Sequence, residues 1–221
     1  MFSYFGAKQK LVKLYPEPHY PLVIEPFAGS AAYSLLHKPQ QVWINDFNPR
    51  VKAAWDWIRQ ATPEQVAAIP EPKMGDYLTN YRLPPGLRVL MAMAVNRGKA
   101  DACYKITSWC KPTDIRRLKE RLLAECPLIR HWKVTKEDYK DIPNQEATWF
   151  VDPPYQKSGH NYSFSLPKGE YKKLAEWCKS RKGQVIVCEE EGDRWLPFKR
   201  LAEITAGVSK RRYTEMFWTN L

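Results

Sequence analysis

The chain has 221 residues, 44% of them hydrophobic and 13% aromatic, which is enough for a full core in one elaborated α/β domain or two small domains. No apolar run is long enough to span a membrane and no signal-peptide pattern stands at the N-terminus, so the expectation is a cytoplasmic protein. Five cysteines (Cys103, Cys110, Cys126, Cys178, Cys188) form an odd set without C-x-x-C spacing, which points to reduced thiols and away from zinc or another metal, while a net charge of +11 calls for a polyanionic partner.

Near the N-terminus, Tyr4-Phe5-Gly6-Ala7-Lys8 sets small residues between an aromatic ring and a lysine, a turn that lets backbone approach a ligand closely. In isolation it reads as an ordinary helix start. Leu22-Val23-Ile24 predicts a short strand running into Glu25, then the loop Pro26-Phe27-Ala28-Gly29-Ser30, then a helix carrying Tyr33, Leu35 and Leu36. This is a strand–loop–helix of nucleotide-binding type. Only Gly29 is present of a G-x-G-x-x-G, so the loop suits a nucleoside better than a pyrophosphate. A second strand, Gln41 to Ile44, ends in Asn45-Asp46-Phe47-Asn48-Pro49. Asp46 follows Glu25 by about twenty residues, the separation at which a carboxylate meets a ribose in a βαβ unit. Asn48 before Pro49 reads as a helix cap, and Val51, Ala54, Trp55 and Ile58 form a core stripe behind it.

From about Pro63 to Pro143 the pattern changes. Between Lys73 and Lys140 there are fifteen Lys and Arg against seven Asp and Glu, eight of the eleven net positive charges, interleaved with Tyr77, Tyr81, Tyr104, Trp109 and Trp132. Such a basic, aromatic-bearing insertion suits phosphate contacts. Its candidates for nucleic-acid contact are the expected loop Asn96-Arg97-Gly98-Lys99, then Lys105, Arg116 and Arg117. Ile115, Leu118 and Leu122 give the last of these segments a buried helical face, and a charge-rich helix is more often a solvated surface than a base reader.

The stretch Thr148-Trp149-Phe150-Val151 predicts a buried strand that stops at Asp152-Pro153-Pro154-Tyr155. The two prolines lack N–H groups and stiffen the turn, so Asp152 and the Pro153 carbonyl become fixed acceptors beside the Tyr155 ring. That is a receptor for a planar group bearing an NH2, although a proline-rich strand exit has the same look. Gln156 to Pro167 reads as a polar loop over the site, with His160 and Asn161 as contact candidates. A helix from Gly169 to Arg181 leads to the strand Gln184 to Cys188, followed by acidic Glu189, Glu190 and Glu191. The terminal Lys210 to Asn220 segment, with Arg211 and Arg212, predicts a final, hairpin-paired strand, and strands alternating with helices imply a largely parallel sheet.

Taken in order, these motifs resemble the D12-class, Dam-like DNA N6-adenine methyltransferases. Glu25-Pro26-Phe27-Ala28-Gly29 matches the family's E-P-F-x-G, Asn45-Asp46-Phe47-Asn48-Pro49 its N-D-x-N-P, and Asp152-Pro153-Pro154-Tyr155 its D-P-P-Y. Asp138-Tyr139 matches an acidic–aromatic pair, and Tyr4 to Lys8 an aromatic-G-G-K with Ala7 in place of the second glycine. The resemblance implies a Rossmann-like α/β sheet, mostly parallel with an antiparallel last strand. Residues 1–62 and 144–221 would form the catalytic domain, with a small, mainly helical recognition insertion over 63–143. It implies S-adenosyl-L-methionine as cofactor, held by Tyr4, Gly6, Lys8, Glu25, Phe27, Gly29, Ser30, Asp46, Asp138, Tyr139 and Asp152. Methyl transfer to N6 of a flipped adenine would fall to Asp152, Pro153 and Tyr155. The implied partner is double-stranded DNA, held by the basic candidates above with Arg211 and Arg212, in a bacterial or phage-encoded monomer or weak dimer. A cognate restriction endonuclease is compatible with it. The alternatives are a methyltransferase of RNA adenine or guanine and a non-catalytic nucleic-acid-binding relative.

Overall fold

The computed structural model describes residues 8, 11–95, 102–108, 112–159, 163–205 and 212–221. Its frame is one seven-stranded sheet in the order β3-β2-β1-β4-β5-β7-β6. The strands are β1 (Leu22–Glu25), β2 (Gln41–Asn45), β3 (Lys133–Thr135), β4 (Ala147–Val151), β5 (Gly183–Glu190), β6 (Lys199–Thr205) and β7 (Arg212–Thr219). The first five run parallel; β7 is antiparallel to both β5 and β6, so the α/β class with an antiparallel end is as expected.

The core follows the pleat, in which successive side chains point to opposite faces. On one face Val23, Phe150, Ile186 and Cys188 pack with Tyr15 and Tyr33 from the segments around α1 (Ala32–His37). On the other, Ile24, Trp149, Val151, Val185 and Val187 pack against Leu174, Ala175 and Cys178 of α6 (Glu170–Lys179). All five residues of β4 are buried, as a central parallel strand covered on both faces requires. Gly183 opens β5 at φ +95°, where a Cβ would lie 2.3 Å from the Ala147 carbonyl oxygen, so glycine permits the close start of the β4–β5 pair.

A third cluster joins Val42 and Ile44 of β2 to four helices: α2 (Pro49–Gln60), α3 (Pro63–Ala67), α4 (Pro85–Val95) and α5 (Pro112–Ile129). Asn48 caps α2 by accepting from the Arg50 N–H at 2.9 Å, and Val51, Ala54, Trp55 and Ile58 are its buried stripe, as expected. The stretch assigned to the insertion therefore shares a core with the sheet. It also contributes β3, the edge strand beside β2, and the Asp138–Ile142 turn that follows. The pattern of the sequence announced neither β3 nor β6, and Glu189 and Glu190 belong to β5 itself rather than to a tail behind it.

Among the described residues no helix is long and apolar enough to cross a membrane, and no cluster of His, Cys, Asp or Glu could hold a metal. Among the described residues, Cys126, Cys178 and Cys188 are free, buried thiols.

Candidate active site

β1 and β4 are neighbours, but the chain leaves β1 on one side, toward β2, and leaves β4 on the other, toward β5. Such a switch point opens a crevice at the carboxyl ends of the strands. Three acidic residues reach that edge by register alone: Glu25 ends β1, Asp46 follows β2, and Asp152 follows β4. A cavity of about 640 Å³ lies there, lined by Lys8, Glu25, Phe27, Gly29, Ser30, Asp46, Asp138, Tyr139, Asp152, Pro153 and Tyr155 among others. Every described residue assigned from the sequence to cofactor or chemistry thus meets in one place. Tyr4 and Gly6 lie outside the described residues.

The wall formed by the loops after β1 and β2 is built on backbone bonds. Gly29 adopts φ +47° and Ala31 φ +48°, which folds the loop after β1 tightly. Asp46 holds that fold by accepting from the Gly29 N–H and the Asn48 N–H, both at 2.9 Å. The Trp55 indole donates to the Gly29 carbonyl at 2.8 Å, and Ala28 N–H donates to the Asn45 carbonyl at 2.9 Å. Glu25 accepts from the Ser34 N–H at 2.9 Å in the first turn of α1. Burial pushes Glu25 up to about 7, against the hydrogen bonds from Ser34. Burial likewise pushes Asp46 up to about 6, against the Asn48 and Gly29 N–H groups. At the far wall the Phe27 and Tyr139 rings stand 5.4 Å apart, and Tyr139 donates to Glu170 at 3.1 Å. Glu170 also pairs with Lys140.

The Asp152 turn is held from two sides. The Tyr171 hydroxyl of α6 donates to the Pro154 carbonyl at 2.6 Å. On the opposite side Lys8, 6% exposed, stands 3.3 Å from Asp152 and 2.5 Å from Glu215 of β7. Its ammonium lies 4.3 Å from the centre of the Tyr155 ring, whose hydroxyl donates to Glu215 at 2.6 Å. Burial pushes Asp152 up to about 6; Lys8 pulls against this and Glu215 adds to it. Burial disfavours the Lys8 charge, but Asp152 and Glu215 outweigh it and hold the ammonium firmly protonated.

The cavity is acidic in a basic protein: among the described residues eight Asp and Glu and two Lys line it. Several of its walls escaped the sequence reading. Phe47 and Phe164 meet edge-on at 5.9 Å, both exposed, and Glu190, Tyr213 and Glu215 reach it from β5 and β7. A signal for Glu215 exists, since one acid stands in an otherwise basic and apolar terminal strand.

The nucleic-acid candidates are spread out. Lys105, Arg116, Arg117 and Arg212 are exposed and none lines the cavity. Lys105 sits 5.5 Å from the Tyr77 ring centre, and Arg212 stands 3.6 Å from Glu203. Asn96, Arg97, Lys99, His160, Asn161 and Arg211 lie outside the described residues.

The class that this fold and cavity define is an α/β protein with an acidic cavity at the switch point of its sheet. The family model of the D12 class N6 adenine-specific DNA methyltransferases matches residues 4–82, the part that supplies Lys8, Glu25 to Ser30 and Asp46. No curated protein sequence matches the chain. Among solved structures, the rRNA methyltransferase AviRa from Streptomyces viridochromogenes is similar at 16% identity and a TM-score of 0.37, over 94% of this chain and 80% of that one. The M. jannaschii tRNA m1G37 methyltransferase is similar at 10% identity and a TM-score of 0.41, over 97% of this chain and 46% of that one. The tRNA (m1A58) methyltransferase TrmI from Aquifex aeolicus is similar at 11% identity and 0.37, over 90% and 62%.

Proposed function

We propose that the protein is a DNA methyltransferase that transfers a methyl group from S-adenosyl-L-methionine to N6 of adenine. The observation that carries the reading is the meeting, in one cavity, of the Asp152-Pro153-Pro154-Tyr155 turn with the strand-end carboxylates Glu25 and Asp46. The family match over residues 4–82 supports the cofactor half of it.

The residues present fit such a cofactor. A tight glycine-containing loop, the buried carboxylate of Glu25, the half-buried one of Asp46 and an aromatic wall suit a nucleoside carrying hydroxyl and cationic groups. Asp46, Glu25, Gly29 and Ser30 would hold its polar groups, with Phe27, Asp138 and Tyr139 at the base. When bound, it supplies a methyl group on a positively charged sulfur.

The chain's own part is to prepare the amine. The lone pair of an exocyclic adenine amine is delocalised into the ring, so the nitrogen is a poor nucleophile. Asp152 and the Pro153 carbonyl accept its N–H bonds, which favours a tetrahedral nitrogen and stabilises the positive charge that develops there. With its pKa at about 6, Asp152 is ionised at neutral pH and can accept the proton that the nitrogen loses as the new C–N bond forms. The stiff turn, braced by Tyr171, keeps the acceptors in place, and positioning supplies much of the rate. A base inside a duplex cannot reach this cavity, so the target nucleotide is extruded.

Incubation with methyl-labelled cofactor and either duplex DNA or RNA tests the reading. Label in N6-methyladenine of DNA is expected. Transfer confined to RNA would overturn the choice of substrate, and absence of cofactor binding would overturn the class.

A further inference from the structure

Three donors converge on one oxygen of Glu215. Its Oε1 accepts from Lys8 Nζ at 2.5 Å, from Tyr15 OH at 2.6 Å and from Tyr155 OH at 2.6 Å. Glu215 is 1% exposed, on a strand that enters the sheet only through antiparallel pairing, opposite Glu190. A buried carboxylate is expensive unless its lone pairs are taken, and here two of the donors, Lys8 and Tyr155, touch or belong to the turn that carries Asp152. Tyr15 is in turn fixed edge-on to Phe150 at 5.2 Å, in the strand that ends at that turn.

The arrangement leaves one cation between two carboxylates. Lys8 sits nearer Glu215 than Asp152. Were Glu215 neutral, the ammonium would move fully onto Asp152 and occupy the acceptor that the amine needs. We infer that Glu215 is a positioning residue: it draws Lys8 back from Asp152 and fixes the Tyr155 ring, so that Asp152 stays available to the incoming amine. This deepens, and rests on, the methyl-transfer reading of the same cavity.

The consequence can be read as a titration. The groups facing Asp152 are Lys8, Tyr15, Glu25, Cys188, Tyr213 and Glu215. Among the described residues only Lys8 favours its charge; Glu215 opposes it. In Glu215→Gln the opposition disappears and Lys8 closes on Asp152. The Asp152 midpoint should fall by about one pH unit. The acidic limb of kcat should move down with it, while kcat on the plateau drops about tenfold or more and cofactor affinity stays within about threefold. Carboxyl 13C shifts of aspartate-labelled protein, assigned with Asp152→Asn, give the midpoint without any turnover. Tyr155→Phe leaves the ion triad intact and should leave the midpoint unmoved.

An Asp152 midpoint in Glu215→Gln equal to that of the unmodified protein would overturn the inference, whatever the loss of rate. If Glu215→Gln does not fold, Lys8→Met serves instead: the midpoint must rise, and an unmoved midpoint overturns the inference equally. Absence of methyl transfer by the unmodified protein is a separate result. It refutes the proposed function, while the 13C titration still decides the role of Glu215.

Discussion

The Tyr171 hydroxyl, on the first full turn of α6, donates to the Pro154 carbonyl at 2.6 Å and so ties a helix to the turn that carries Asp152. Tyr171 is 3% exposed, and burial pushes its phenol up, well out of reach of ionisation near neutrality. It therefore acts as a permanent donor.

Removing that hydroxyl leaves a buried carbonyl without its partner. Tyr171→Phe should cost about 1–2 kcal/mol of stability, which for a chain of this size lowers Tm by about 3–6 °C. Calorimetry gives the first effect. Steady-state kinetics should give a several-fold lower kcat with unchanged cofactor KM, because the turn loosens and the cofactor wall does not.

Asp46 holds Gly29 and Asn48, and in the proposed function it also holds the cofactor. Asp46→Asn keeps one of the two loop acceptors and loses the charge, so the fold should survive with a loosened loop while cofactor affinity falls about tenfold to a hundredfold, the worth of a charged hydrogen bond. The unmodified protein should lose affinity as pH falls through about 6, where Asp46 takes up a proton. In Asp46→Asn only the share due to Glu25 and Asp152 should remain. Calorimetric titration across that range measures both.

Glu25 gives a stability test with a definite sign. Its pKa is raised in the fold to about 7, so the folded state favours the protonated form. Stability from this group is complete below the unfolded value near pH 4 and is lost as pH rises toward 7. Glu25→Gln cannot lose it. Relative to the unmodified protein, this variant should gain on the order of 2–3 kcal/mol between pH 4.5 and pH 8, a gap seen as diverging denaturant midpoints.

Much of this cavity is legible in the sequence because parallel strands end in it. Glu25, Asp46 and Asp152 each terminate an apolar run, and strand order brings run-ends to one edge without long-range information. Glu215 is different. It reaches the same edge from a strand of opposite direction, so its position depends on the β5–β7 register, which local periodicity does not encode. β3 escaped for a related reason: three residues, with no buried side chain, pair only at an edge. The basic stretch was legible as charge and not as architecture, since its helices share a core with β2 and α2.

Arg116 and Arg117 are exposed on α5, and the proposed duplex partner gives them phosphates to neutralise. Replacing both with alanine should weaken binding to all duplex sequences alike and reduce the slope of log Kd against log salt by about 2. Fluorescence anisotropy over a salt series reads this slope. A sequence-selective loss would assign them to base contact instead.

The most direct measurement concerns Asp152. Purified Asp152→Ala should bind the cofactor and duplex DNA with affinities within about tenfold of the unmodified protein, yet transfer methyl label to adenine N6 at least about a thousandfold more slowly, as loss of a transition-state acceptor demands. Near-normal transfer by Asp152→Ala would contradict the account, because the turn that organises the cavity would then have no part in the chemistry.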